Sequence, residues 1–287
     1  CRENLIELGT TSNGIPVAVN RDVFEADIKI GISCIVPHPA AGFSGGGKIV
    51  APGVCGFETI RKLHDDCKGA TKRAGSINTQ FRAVIDEISN MIGLDFSINV
   101  IINDKKKIVQ LFCGDKEESF CKAVDYVREH FSLDIDHDVD VAIIDAYPCD
   151  RKLNVAMDRG FWPLYVHGNK TEKVILAQCK EGVGGHELYS AKKPFLQRII
   201  RRLRNFNCKE IFCLHERLWN MLKMVKKFNV RFSFISTFLP ENSIKNTFKN
   251  VIFYSSWDKY VNSVSRQFAN KKVRAVIYKA SPLFFEQ

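Results

Sequence analysis

Residues 31–66 read GISCIVPHPAAGFSGGGKIVAPGVCGFETIRKLHDD, and the order of residue types there decides how the rest of the chain is read. An apolar segment, Ile32 to Val36, predicts a strand. It runs into a proline-flanked histidine, His38, and then a loop with Gly42, Gly45, Gly46 and Gly47 that closes on Lys48. A short helical stretch follows and delivers a second histidine, His64. Glycines let backbone N–H groups approach an anion with no Cβ in the way, and lysine adds positive charge beside them. Two histidines, a lysine and such a loop at the end of a strand make a candidate reaction centre.

A P-loop is the first reading to test, because Gly42, Gly47 and Lys48 satisfy G-x-x-x-x-G-K. That motif needs Ser or Thr next, to hold Mg²⁺, and Ile49 stands there instead. It must also enter a helix directly, whereas Pro52 and Gly53 interrupt one starting at Lys48. A P-loop nucleotide binder is the weakest of the readings kept.

From Glu3 to Asp66 the chain carries ENLIELGTTSNGIPVAVNR, EADIKIGISCIVPHPAAGFSGGGKIVAPGV and ETIRKLH. These segments resemble the nickel-pincer-nucleotide-dependent lactate racemase family. In that family one histidine lies ten positions before a lysine, and a metal-binding histidine lies sixteen after it. His38, Lys48 and His64 reproduce both intervals. The resemblance implies that Lys48 tethers a pyridinium-3,5-dithiocarboxylic acid mononucleotide through a thioamide, with Gly45, Gly46 and Gly47 beside it. It also implies that His64 is the protein ligand to nickel and His38 one of an acid/base pair. The implied reaction is racemisation or epimerisation of a 2-hydroxy acid by hydride transfer, and looser similarity continues to about Gly184.

The residue types suit that chemistry. Imidazole takes and returns a proton near neutral pH. A deprotonated lysine amine is a nucleophile fit for covalent tethering. Nickel accepts imidazole together with soft sulfur. Each residue taken singly also has a plain structural reading: His38 as a loop residue, His64 as a cation at a helix C-terminus, Lys48 as a surface charge. Their joint spacing separates the two readings.

The resemblance also implies a chain that starts inside the family's first domain. A second acid/base histidine and the phosphate-binding groups would then come from a chain supplying the missing N-terminal half. The alternative is a non-catalytic remnant or partner subunit. Val155 and Asp158 stand where the family presents glutamine and lysine to the substrate, and a carboxylate there repels a carboxylate substrate.

The chain has 287 residues, enough for two domains with cores of their own. It shows no apolar run of the length that spans a bilayer, and Cys1-Arg2-Glu3-Asn4 does not open a signal peptide, which argues for a cytoplasmic protein. Ten cysteines without a C-x-x-C pair predict buried free thiols and argue against zinc. A net charge of +10 is compatible with nucleic acid, but it equally serves carboxylates and a phosphorylated cofactor. The basic run Lys192, Lys193, Arg198, Arg201, Arg202 and Arg204 is interleaved with apolar residues and reads as the solvated face of an amphipathic helix, so no nucleic-acid partner is expected.

The expected fold is α/β, two domains with mostly parallel or mixed sheets: residues 1–132, a linker at 133–138, and residues 139–287. The first is expected to hold a turn cluster at Gly9 to Gly14 and a strand at Ile28 to Val36. A helix with Phe81, Val84, Ile85, Ile88 and Ile92 on one face should follow, then a hairpin pairing Phe96 to Ile102 with Ile108 to Cys113, then a helix through Phe120 and Phe131. The acidic linker cluster Asp134, Asp136, His137, Asp138 and Asp140 lacks the glycine and terminal glutamate of an EF-hand and reads as solvated. The second domain should begin with strands Val139 to Ile144 and Lys173 to Gln178, the latter leading into a glycine turn, EGVGGH. Helices Pro194 to Phe206 and Arg217 to Phe228 should flank a strand at Glu210 to Leu214. Strands Arg231 to Ser236, Val251 to Tyr254 and Val273 to Tyr278, with helices Asn242 to Phe248 and Asp258 to Ala269, should complete it.

Overall fold

The computed structural model describes residues 3–38, 40–66, 75–183, 231–245, 248, 250–269 and 271–286. The chain forms two compact units, Cys1–Ile135 with Pro282–Gln287, and Asp136–Ser281.

The first unit opens with an antiparallel pair, β1 (Leu5–Thr10) and β2 (Pro16–Asn20), whose register shifts between Glu7 and Gly9. The turn cluster expected at Gly9 to Gly14 is therefore partly strand: Gly9, with φ of 104°, absorbs a bulge and the reversal is confined to residues 11–14. A single helical turn, α1 (Arg21–Phe24), leads to β3 (Ile30–Cys34), shorter at both ends than expected. The candidate stretch then folds as a tight antiparallel ladder, β4 (Pro37–His38) with β5 (Gly42–Phe43), a 3₁₀ turn at Gly46–Ile49, and helix α2 (Phe57–Asp66).

Helix α3 (Gln80–Ile92) is capped by Thr79, whose hydroxyl accepts the Arg82 N–H, and ends at Gly93 with φ of 78°. Its apolar face, Phe81, Val84, Ile85, Ile88 and Ile92, is buried against Val17, Val19, Ala51 and Leu63. The hairpin β6 (Phe96–Ile102) and β7 (Ile108–Gly114) forms as expected. With β3 parallel to β6 it makes a mixed three-stranded sheet. Helix α4 (Lys116–Phe131), capped by Asp115, packs Phe120, Ala123, Val124 and Val127 against Ile35, Phe43 and Ile101. A short strand, β8 (Ser132–Leu133), closes this part.

The second unit is built on a five-stranded, wholly parallel sheet. Its strands are β9 (Val141–Asp145), β10 (Glu172–Leu176), β11 (Phe232–Ile235), β12 (Val251–Tyr254) and β13 (Ala275–Tyr278). Their spatial order is β12-β11-β10-β9-β13. Strand order reverses between β9 and β13, so a topological switch point lies beyond their carboxyl ends. Helix α5 (Leu153–Gly160) follows β9, α6 (Glu241–Lys245) precedes β12, and α7 (Trp257–Val264) follows it. Phe161, Phe232 and Phe248 stack edge and face in its core, with centroids 5.1 to 6.3 Å apart. The last strand, β14 (Phe285–Glu286), returns to the first unit to pair with β8. The elements expected between Pro194 and Phe228, and the basic run within them, lie outside the described residues.

The acidic segment has a structural use. Arg274 reaches Asp136 at 2.9 Å and Asp138 at 2.5 Å, and its backbone N–H donates to Asp140 at 2.8 Å. These are exposed pairs, each contributing about 0–1 kcal/mol. Among the described residues no group of three His, Cys, Asp or Glu side chains is arranged to hold a metal. Among them, too, no helix is long and apolar enough to cross a membrane.

The expectation of buried thiols is corrected in part. Cys55 and Cys179 are buried, but Cys113 and Cys121 are exposed. Cys113 is in β7, whose residues are largely open to solvent, and Cys121 is on the outer side of α4. Burial pushes the Cys55 and Cys179 thiols up from 9.0 to about 12. Iodoacetamide at about pH 8 should therefore label Cys113 and Cys121 in the native protein and reach Cys55 and Cys179 only after unfolding, as read by peptide mass. The folded state holds those two protons more tightly than the unfolded state. Stability should fall as pH rises above the ordinary thiol value of 9.0 and keep falling to about 12.

Candidate functional site

The stretch that carries His38, Lys48 and His64 is assembled around helix α3. The His38 and His64 rings both pack on Phe81 of its first turn: His38 stacks at 6.4 Å between centroids and His64 meets the ring edge-on at 5.3 Å. The two imidazoles, twenty-six positions apart in sequence, are thus brought to one aromatic ring. Lys48, half-buried, lies in the 3₁₀ turn, and Gly47 beside it packs on Asp86 and Ser89 of the same helix. The tether candidate is therefore placed one to two helical turns beyond the histidines along α3.

The ring nitrogens of the two histidines are engaged in opposite senses. His38 Nδ1 accepts two backbone N–H groups, from Ala40 at 3.2 Å and Ala41 at 3.1 Å. A nitrogen that accepts carries no hydrogen, so the neutral ring has its proton on Nε2. His64 Nδ1 lies 2.7 Å from the Ile60 carbonyl one turn back. A carbonyl can only accept, so Nδ1 carries the hydrogen and the lone pair is on Nε2.

Sequence reasoning missed the residues that hold this loop in place. Arg82, 3% exposed, donates Nε to the Ala41 carbonyl at 3.3 Å, Nη1 to that of Gly45 at 3.3 Å and Nη2 to that of Phe43. Its guanidinium lies 4.4 Å over the Phe120 ring and 3.6 Å from the Asp86 carboxylate. Burial lowers the Arg82 pKa against the pull of Asp86, and burial raises that of Asp86 against the pull of Arg82. Asn99, fully buried, accepts the Gly46 N–H at 3.2 Å and the Ser33 hydroxyl at 3.1 Å, and donates to Ser97 and Ser119. The signal for Arg82 was available: Arg82, Asp86 and Ser89 form a polar stripe at i, i+4 and i+7 beside an apolar face.

The glycine run packs inward. A Cβ on Gly45 would meet Ile35 at 2.1 Å, and one on Gly46 would meet the Phe120 ring at 2.9 Å. The side left bare by these glycines is filled by the protein, and the Gly46 N–H is already given to Asn99.

In the second unit, β9 ends at Asp145, whose carboxylate accepts the Tyr147 N–H at 3.0 Å and whose pKa burial raises. The turn Tyr147-Pro148-Cys149-Asp150 leads into α5 at the carboxyl ends of the parallel strands. Val155 on α5 is 38% exposed. The turn expected at EGVGGH is described only as far as Val183.

Comparison with known proteins adds matches of three kinds. Residues 1–75 match the lactate racemase N-terminal domain. The chain is 28% identical over 191 residues to the lactate racemase of Lactiplantibacillus plantarum, a match covering 65% of this chain and 45% of that protein. It is 28% identical over 205 residues to that of Thermoanaerobacterium thermosaccharolyticum, with the same coverage. The chain thus spans less than half the length of the curated relatives it matches. Among solved structures, the lactate racemase apoprotein of T. thermosaccharolyticum superposes with a TM-score of 0.73 at 20% identity, over 99% of this chain and 69% of that one. A Thermotoga maritima protein superposes at 0.59 and 18%, over 99% and 76%. These likenesses establish the fold.

Proposed function

Because the chain belongs to the lactate racemase family through its N-terminal domain, we propose that it racemises or epimerises a small 2-hydroxy acid with a lysine-tethered nickel-pincer nucleotide. The observation that carries this reading is the opposite engagement of His38 and His64 around one phenylalanine. An imidazole whose Nδ1–H is fixed by a backbone carbonyl offers its Nε2 lone pair in a set direction, as a metal ligand must. In this reading His64 is the single protein ligand and the cofactor brings the other donors to the metal. A sulfur-bearing pincer does that.

When bound, the group supplies an electrophilic ring that takes up the Cα hydride. The chain supplies the rest. Lys48 offers an amine for covalent attachment from a turn that Asn99 and Arg82 hold in place. Neutral His38 carries its proton on Nε2, because its Nδ1 is occupied by two N–H donors. In this ring state it donates a hydrogen bond to the substrate oxygen, and removal of the hydroxyl proton falls to the second acid/base group of the pair. Phe81 lies against both rings and shields them from water on that side.

A second reading is favoured by Val155 and Asp158, which replace the family's substrate-facing glutamine and lysine: a subunit that carries the cofactor but does not racemise lactate. One experiment addresses both. The protein is co-produced with the enzymes that make the cofactor, its intact mass is measured, and any adduct is mapped by peptide mass. Attachment at Lys48 with turnover of a 2-hydroxy acid is expected. Attachment without turnover selects the second reading, and an unmodified Lys48 overturns both.

A further inference from the structure

We infer that the first turn of α3 sets the ring state of His38: Thr79 holds the Ala40 carbonyl and so aims the Ala41 N–H of the same peptide unit at Nδ1, Arg82 pins the peptide unit that follows, and Nε2 therefore carries the proton. The peptide unit between Ala40 and Ala41 is the central piece. Its N–H donates to His38 Nδ1 at 3.1 Å, and its carbonyl accepts the Thr79 hydroxyl at 3.0 Å. That hydroxyl also accepts the Arg82 N–H at 2.9 Å, so its one proton is committed to Ala40. A peptide unit that accepts on one side and donates on the other is polarised, which strengthens both bonds.

Arg82 secures the next peptide unit through Ala41, and its two remaining nitrogens take the Phe43 and Gly45 carbonyls. Three alternate carbonyls of the segment between His38 and Lys48 are thus held by one rigid fork on one helix. Lysine, a single flexible ammonium, cannot reproduce that fork. Thr79 and Arg82 are positioning residues: they act on His38 through the backbone. The consequence for catalysis rests on the racemase reading, in which a resting Nε2–H makes His38 a hydrogen-bond donor to the substrate oxygen. The ring state itself is independent of that reading.

The test is nitrogen NMR of the cofactor-free protein labelled with ¹⁵N-histidine, with two-bond proton–nitrogen correlations recorded at about pH 8, where the unperturbed ring is neutral. His38 signals are assigned by their loss in His38→Gln. The expected wild-type result is a single Nε2–H form for His38 and the Nδ1–H form for His64. Thr79→Val and Arg82→Lys should each convert the His38 pattern into an average of the two neutral forms and leave His64 unchanged. Thr79→Ser, which keeps the hydroxyl, should restore the wild-type pattern. A protonated Nδ1 on His38 in the wild type overturns the inference, as does a wild-type His38 pattern in both Thr79→Val and Arg82→Lys. If Arg82→Lys fails to fold, Thr79→Val decides alone, and the reverse holds. A missing Lys48 adduct would remove the racemase reading and leave this result untouched.

Discussion

His64→Ala should lower the nickel content of the co-produced protein to background and reduce racemisation by more than about a hundredfold, with the Lys48 adduct still detectable by mass. Removing the groups that merely orient a metal-bound histidine costs 10–100-fold in affinity or activity as a rule, and here the orienting group is a backbone carbonyl that no substitution can delete. Loss of the imidazole itself should exceed that range. The variant should remain folded. Alanine is the best helix former, and His64 lies in the last turns of α2, where its ring meets the core only at the edge of Phe81 among the described contacts. Nickel is counted by elemental analysis against protein concentration. An unchanged nickel ratio in His64→Ala would mean that the metal is held elsewhere, and the proposed ligand would have to be abandoned.

Much of this architecture was legible because it rests on local periodicity. The face Phe81, Val84, Ile85, Ile88 and Ile92 marked α3, and the polar Asn103 to Lys107 marked the hairpin between β6 and β7. Those signals are carried by residues a few positions apart. The pairing of β1 with β2 was hidden, because a bulge at Gly9 breaks the alternation that marks a strand. The site divided in the same way. The candidates His38, Lys48 and His64 were singled out by spacing, whereas Arg82, Thr79 and Asn99 act across 37 to 53 positions, through bonds to backbone atoms that leave no motif. A buried arginine whose described hydrogen bonds go to carbonyls looks, in sequence, like any helix surface arginine. What distinguishes it is the polar stripe through Asp86 and Ser89, and that stripe has meaning only once its far side is known to be occupied.

The glycines show where a sequence argument about freedom must give way to one about space, and they support the second large prediction. Gly42→Ala should destabilise the first unit by about 2–5 kcal/mol, combining about 1–2 for a side chain at φ of 75° with about 1–3 for an overpacked site. The new Cβ would stand 2.0 Å from the Ser76 carbonyl oxygen and 2.9 Å from the Ile77 N, which are backbone atoms with no rotamer to change. Gly14→Ala is the control. Its φ of 74° imposes the same strain, but nothing lies within 4 Å of its Cβ, so only the smaller figure of about 1–2 kcal/mol is expected. The comparison is best read from hydrogen exchange of the amides in α3 and β6, since both belong to the first unit and report its opening directly. Gly42 is also the residue paired with His38 in the β4–β5 ladder, and residues 76–77 lead into the Thr79 cap. A shift forced there should reach the histidine from two directions. If Gly42→Ala proved no worse than Gly14→Ala, this glycine would not be there to let two backbones approach, and the anion-cradle reading would regain its place.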